Sequence, residues 1–157
     1  MKLSVIIPVY NEESTIAEVI RRVSNVTIEG VDKEIIVADD GSTDSTSSII
    51  ANTRRDESII KVHTSLINLG KGAAVRYGLE YATGDVIIIQ DADLELNPEE
   101  YAKLLEPILN GTADVVYGSR FMNKNPNIPV ITRLANRLLT FLGNVIFSGG
   151  LTDMETA

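Results

Sequence analysis

The sequence predicts an α/β protein, a mostly parallel sheet flanked by helices in a single domain over residues 1–157. Three observations carry this. Five short runs rich in Val and Ile alternate with segments of helical periodicity, and that alternation builds a parallel sheet. The runs show little polar alternation, as expected for strands covered on both faces. Each well-marked polar cluster follows one of the runs, and in open α/β sheets ligands bind outside the carboxyl ends of the strands.

The elements follow in order. KLSVIIPVY is the first strand, with Pro8 near its end, where a missing N–H does least harm. After Asn11, the residues Ile16, Val19, Ile20 and Val23 recur on one helical face. KEIIVADD is the second strand, and STDSTSSIIANTRR is a helix opened by capping residues. SIIKVHT is the third strand. GKGAAVRYGLEYA is a helix with Val75, Leu79 and Ala82 on one side, and DVIIIQD is the fourth strand. NPEEYAKLLEPILNG is a helix capped by Asn97, with Pro98 first, Glu99 and Glu100 in the opening turn, a kink at Pro107 and a stop at Gly111. ADVVYGS is the fifth strand. A last helix runs from Thr132 to Phe147, striped by Leu134, Leu138, Phe141, Leu142 and Val145.

Composition narrows the function. The 44% apolar and 23% charged residues are ordinary for a globular chain. There is no cysteine, hence no disulfide, thiolate metal site or cysteine nucleophile. The net charge of −8 argues against nucleic acid as a partner. It is divided unevenly, −10 over residues 1–117 and +2 over 118–157. The first apolar run is too short for a signal sequence, and no stretch reaches the roughly 18 apolar residues of a spanning helix. His63, the sole histidine, falls on the third strand as a packing residue, which excludes a nucleophilic triad and a zinc site.

The polar clusters carry the chemistry. Asp91 and Asp93 stand two apart in an extended segment and point the same way. Adjacent carboxylates repel unless a cation sits between them, and a hard divalent ion, Mg²⁺ or Mn²⁺, suits one or two carboxylates plus phosphate oxygens. Glu95 can add a ligand. The competing reading is a solvated acidic turn before the Asn97 helix. In ADDGSTD, Asp39 ends a strand and can accept from a ribose hydroxyl or a base N–H, while Gly41 allows a tight turn. In PVYNE, Tyr10 can pack on a flat base and Glu12 can hold a hydroxyl; alternatively Asn11 and Glu12 only start a helix. GKGAAVR offers a glycine-lined helix start with Lys71 as a phosphate contact, without the spacing of a P-loop. Arg120 can grip a phosphate in a fork. Spacing thus reaches a phosphorylated, nucleotide-containing ligand held through a divalent metal.

PVYNE, ADDGSTD, NLGKGAAVRYG, DADLE, YGSR and LTDMET, in this order, resemble the family 2 glycosyltransferases of the Rossmann-like GT-A fold, in particular the dolichyl-phosphate mannosyltransferase and glucosyltransferase subgroup. The resemblance implies an inverting transfer of sugar from a nucleoside-diphosphate sugar, GDP-mannose or UDP-glucose, to a polyprenyl phosphate. It implies donor contacts from Pro8, Tyr10, Glu12, Val37, Asp39, Asp40, Asp91 and Ala92. It places the metal on Asp91, Asp93 and Glu95, the last where many members carry Gln. Catalytic roles fall to Asp93, Arg120 and Asp153, and the acceptor phosphate to Arg120, Arg133 and Arg137. It implies a cytoplasmic protein peripheral to the membrane. Family members continue well past LTDMET, so the chain is expected to lack acceptor-side structure. A nucleotide-sugar-binding module without turnover is therefore the alternative, and the uncovered Leu138–Phe147 face would favour self-association. A phosphoacceptor receiver and a sugar nucleotidyltransferase both fit less well, because their acid pair or glycine-rich loop would follow the first strand.

Overall fold

The computed structural model describes residues 1–54, 59–119, 130–147 and 150–153. Contacts divide the chain into two compact units, Met1–Glu99 and Glu100–Ala157. The first holds β1 (Lys2–Val9), α1 (Ile16–Asn25), β2 (Asp32–Asp39), α2 (Thr46–Arg54), β3 (Ile60–Thr64), α3 (Lys71–Tyr81) and β4 (Val86–Ile89). The second holds α4 (Tyr101–Leu109) and α5 (Val130–Phe147). No helix among the described residues is long and apolar enough to cross a membrane.

Among the described residues the sheet has four strands in the order β3-β2-β1-β4, all parallel. Val5 pairs with Ile35 on one side and with Ile88 on the other. The continuous apolar runs explain the interior: Leu3, Val5, Ile6, Ile7, Ile35, Ile36 and Val37 are all fully buried. On α1 the expected stripe of Ile16, Val19, Ile20 and Val23 is buried as well. Strand order reverses between β1 and β4, which puts the crevice of the sheet at their carboxyl ends.

The opposite end of the sheet is tied by one carboxylate. Glu34, almost fully buried, accepts from the Ser4 hydroxyl at 2.6 Å and the Thr83 N–H at 2.7 Å, and pairs with Lys2 at 2.7 Å and Lys61 at 2.9 Å. Burial alone would raise its pKa. The bonds from Lys2, Ser4, Lys61 and Thr83 outweigh burial and hold it well below the usual carboxylate range.

Four expectations are corrected. Residues 113–119 form no strand, and Val115 and Tyr117 are exposed. β propensity is a weak preference that context overrides. The edge strand β4 is not covered on both faces: Ile87 and Ile89 stay exposed at 41% and 37%. On α3 the buried residues are Ala74 and Gly78, whereas Leu79 is exposed. The reason is close approach to the sheet, since a Cβ at Gly78 would lie 2.4 Å from Ile6 Cγ2. Only the small residues of α3 fit that seam.

The apolar stripe of α5 faces outward, with Leu134, Leu138, Phe141, Leu142 and Val145 exposed, in keeping with the uncovered face expected of this helix. Its buried side is polar. Asn136 Nδ2 donates to Asp153 Oδ1 at 2.8 Å, and the Thr140 hydroxyl donates to Asn136 Oδ1 at 3.0 Å. The Asn144 amide pairs with both backbone groups of Leu151. Amides engaged in this way hold residues 151–153 on the helix. The Pro98–Glu100 segment is a single 3₁₀ turn rather than the start of α4, with the Glu99 N–H donated to Asn97 Oδ1 at 3.2 Å.

Candidate functional site

A cleft of about 350 Å³ opens at the carboxyl ends of β1 and β4, within the size range of small-ligand sites. It is lined by Pro8, Val9, Tyr10 and Glu12 after β1, Asp40 after β2, Asn68, Lys71 and Ala74 around the start of α3, and Asp91, Ala92 and Asp93 after β4. Six of the sequence-derived donor residues therefore meet here: Pro8, Tyr10, Glu12, Asp40, Asp91 and Ala92. Val37 and Asp39 do not line it.

Two loops are stitched together to make the wall. Asn11 adopts φ 54°, a left-handed conformation that Asn tolerates, and its Oδ1 accepts from the Thr43 N–H at 2.8 Å. The Asn11 N–H is donated to Ser42 Oγ at 3.0 Å, and the Glu12 N–H to Thr46 Oγ1 at 2.9 Å. Gly41, at φ 76°, lets this loop approach the next one so closely that a Cβ there would sit 2.7 Å from the Ile67 carbonyl carbon. The Glu12 carboxylate is oriented by the Thr15 hydroxyl at 2.8 Å.

The neighbouring acids Asp39 and Asp40 divide their work, because successive strand residues point to opposite faces. Asp39 is wholly buried, accepts from the Ser42 N–H at 3.0 Å and is bonded by the Ser47 hydroxyl, so it anchors the start of α2. Asp40 turns toward the cleft. Its carboxylate accepts from the Leu69 N–H at 3.0 and 3.1 Å and from the Gly70 N–H at 2.6 Å. That fixes the backbone just before Lys71, at the N-terminus of α3.

The turn after β4 is braced from below. Gln90, buried, donates from Nε2 to the Asp91 carbonyl at 3.0 Å. Leu94 sits at φ 67°, unusual for a branched side chain, and strain of this kind concentrates at ligand sites. The Glu95 N–H is donated to Asp93 Oδ1 at 3.0 Å. Glu95 itself is exposed and does not line the cleft. Asp91 Oδ1 is paired with Lys71 Nζ at 2.6 Å. Sequence reasoning missed this pair, the brace by Gln90 and the loop clamp by Asp40. The signal available was Lys71 next to Gly70 at a helix start, which gave a cation but not its partner.

Among the described residues no group of three or more His, Cys, Asp or Glu side chains is poised to hold a metal. What the cleft offers is the pair Asp91 and Asp93, hard oxygen donors in number suited to a divalent ion that takes its remaining ligands from phosphate and water. The donor set thus fits the expected ion, with Lys71 supplying positive charge at Asp91 meanwhile. The other expected site residues belong to the second unit or fall outside the described residues. Arg120 falls outside the described residues. Arg133, partly buried, and Arg137, exposed, lie on α5, and Asp153 is buried against Asn136 in the second unit.

The model for glycosyl transferase family 2 matches residues 4–153. Dolichol-phosphate mannosyltransferase of Pyrococcus furiosus is 37% identical over 147 residues, spanning 92% of this chain and 41% of that protein. Undecaprenyl-phosphate 4-deoxy-4-formamido-L-arabinose transferase of Pseudomonas aeruginosa is 40% identical over 111 residues, spanning 69% of this chain and 33% of that one. Among solved structures, the mannosyltransferase PcManGT from Pyrobaculum calidifontis, in complex with GDP-Man and Mn²⁺, superposes with a TM-score of 0.57 at 27% identity, covering 66% of this chain and 31% of that chain. The chain spans less than half the length of both curated relatives. The parallel sheet flanked by helices is the GT-A arrangement, and with a family match running almost end to end this chain belongs to glycosyl transferase family 2.

Proposed function

We propose that this chain is the donor-binding portion of an inverting glycosyltransferase that moves a sugar from a nucleoside-diphosphate sugar, GDP-mannose or UDP-glucose, to a polyprenyl phosphate at a membrane surface. The observation that carries the reading is the cleft at the β1–β4 switch point, where Tyr10 and Glu12 face Asp91, Asp93 and the start of α3. The names of the two relatives and the GDP-Man and Mn²⁺ bound to PcManGT support it.

The roles follow from the chemistry of each group. The half-exposed ring of Tyr10 is a stacking surface for a base, and the Glu12 carboxylate accepts from hydroxyls. The diphosphate lies toward α3 and the Asp91–Asp93 turn. Asp91 and Asp93 would hold Mg²⁺ or Mn²⁺. When bound, the ion neutralises charge developing on the leaving diphosphate. Attack from the face opposite that leaving group inverts the anomeric carbon. A phosphate monoester acceptor has a second pKa of about 6 and is ionised at pH 7, so it attacks without a strong base. Arg120, Arg133 and Arg137 supply its counter-charge, and Asp153 becomes the base if the acceptor is a hydroxyl.

A donor-binding module without turnover is the second reading, since the described cleft is lined by residues suited to a nucleotide donor. Thermal shift with GDP, UDP and their sugars, with and without Mn²⁺, tests donor binding. A transfer assay with a polyprenyl phosphate then separates the two readings. Absence of any nucleotide-dependent shift would reject both.

A further inference from the structure

We propose that Lys71 is an exchangeable counter-ion: its ammonium neutralises Asp91 in the empty cleft and passes to the donor's diphosphate when that carboxylate is taken by a cation. This rests on the donor-binding reading above and adds a positioning and charge-transfer role for a lysine at the start of α3. Three observations point to it. The Nζ–Oδ1 separation of 2.6 Å is a direct contact at the short end for a charge-assisted N–H···O hydrogen bond. Among the described residues lining the cleft, Lys71 is the one cation, facing the carboxylates of Glu12, Asp40, Asp91 and Asp93. The two ends of the lysine are held very differently. Its backbone follows Leu69 and Gly70, whose N–H groups are clamped by buried Asp40, whereas its side chain is 50% exposed.

A fixed base with a free, flexible stem suits movement of the head group over a few ångströms. A purely structural pair has no need of it. Asp91 is only 20% exposed, so leaving it bare beside Asp93 would add repulsion to desolvation. Lys71 removes that cost until a ligand arrives. The diphosphate then presents new negative charge beside the same lysine, and its ammonium gains a stronger partner as it leaves Asp91. Lys71 thereby makes cation binding and diphosphate binding mutually reinforcing.

The test compares wild type with Lys71→Met, Lys71→Arg and Asp91→Asn. Free Mn²⁺ is read by electron paramagnetic resonance, inorganic pyrophosphate in chelator by calorimetry, and Mn–GDP and Mn–UDP by calorimetry. Circular dichroism melts confirm folding, and Lys71→Arg keeps the charge. Lys71→Met is expected to bind Mn²⁺ alone roughly two- to five-fold more tightly, the scale of a partly exposed ion pair. It is expected to bind metal-free pyrophosphate at least about ten-fold more weakly. Asp91→Asn frees the ammonium and is expected to tighten metal-free pyrophosphate by roughly two- to five-fold. Lys71→Arg should stay near wild type for Mn²⁺. Exchange is overturned if Asp91→Asn leaves pyrophosphate binding unchanged or weaker, or if Lys71→Met leaves Mn²⁺ binding unchanged. Tight Mn–nucleotide binding by wild type without these opposed shifts removes the exchange and keeps the donor reading. The opposed shifts without Mn–nucleotide binding do the reverse.

Discussion

Replacing Asp40 by Asn tests whether this acid serves the ligand directly or serves the loop that carries Lys71. Asp40 is 2% exposed, and its carboxylate takes two backbone N–H groups, from Leu69 at 3.0 and 3.1 Å and from Gly70 at 2.6 Å. Asparagine keeps one acceptor oxygen and places an NH₂ where the second acceptor stood. One N–H is served and the other faces a donor. The loss is one hydrogen bond to a charged group, about 1.5–3 kcal/mol, with no solvent available to make it good. With a denaturant slope of about 2 kcal/mol per molar, the urea midpoint should fall by about 1 M. The freed loop should also loosen Lys71, so calorimetry should find pyrophosphate bound more weakly. If Asp40 serves only as a direct donor contact and does not hold the loop, the midpoint will stay put and pyrophosphate affinity will be unchanged. That pair of results would refute the clamp.

Three further outcomes are expected. Asp93→Ala should reduce Mn²⁺-dependent binding of GDP or UDP to the level seen in chelator; unchanged calorimetric affinity for the metal–nucleotide complex would remove Asp93 from the site. Glu34→Gln should lower stability by about 1.5–3 kcal/mol at pH 7. Because the folded pKa of Glu34 is depressed, its contribution is present above the unfolded value of about 4.3 and lost as pH falls through the folded value. The stability gap between wild type and Glu34→Gln should therefore narrow steadily in acid, and urea midpoints that stay parallel below pH 4 would contradict the assignment. Gly78→Ala should destabilise although alanine gains about 1 kcal/mol of helix propensity, because overpacking against Ile6 costs about 1–3 kcal/mol. A raised urea midpoint would show that the α3 seam yields.

Much of the frame was legible in the chain because burial imposes a composition. The Val and Ile runs of β1 and β2 read as covered strands, and both are buried almost throughout. Helix α1 shows its period plainly and buries the expected four residues. Residues 113–119 share the same β-prone composition yet form no strand, because β propensity depends on context that composition does not carry. The stripe on α5 reads as an apolar pattern on an uncovered face, and its residues are exposed. Asn136, Thr140 and Asp153 satisfy one another on the other side, and pairing of that kind is invisible to periodicity. On α3 the seam against Ile6 selected the smallest residues, where hydrophobic pattern pointed to larger ones.

By itself the sequence determined the chemistry at the rim. Parallel strands must end together, so the acids after β1, β2 and β4 had to share one edge wherever the chain folded as α/β. Tertiary structure alone decided who partners whom. Whether Asp39 or Asp40 faces the cleft depends on strand register, and the meeting of Lys71 with Asp91 depends on how closely α3 settles on the sheet. The contacts of Asp40 with Gly70 and of Lys71 with Asp91 cross 20 or more residues of chain, fixed by packing in three dimensions and by no local pattern.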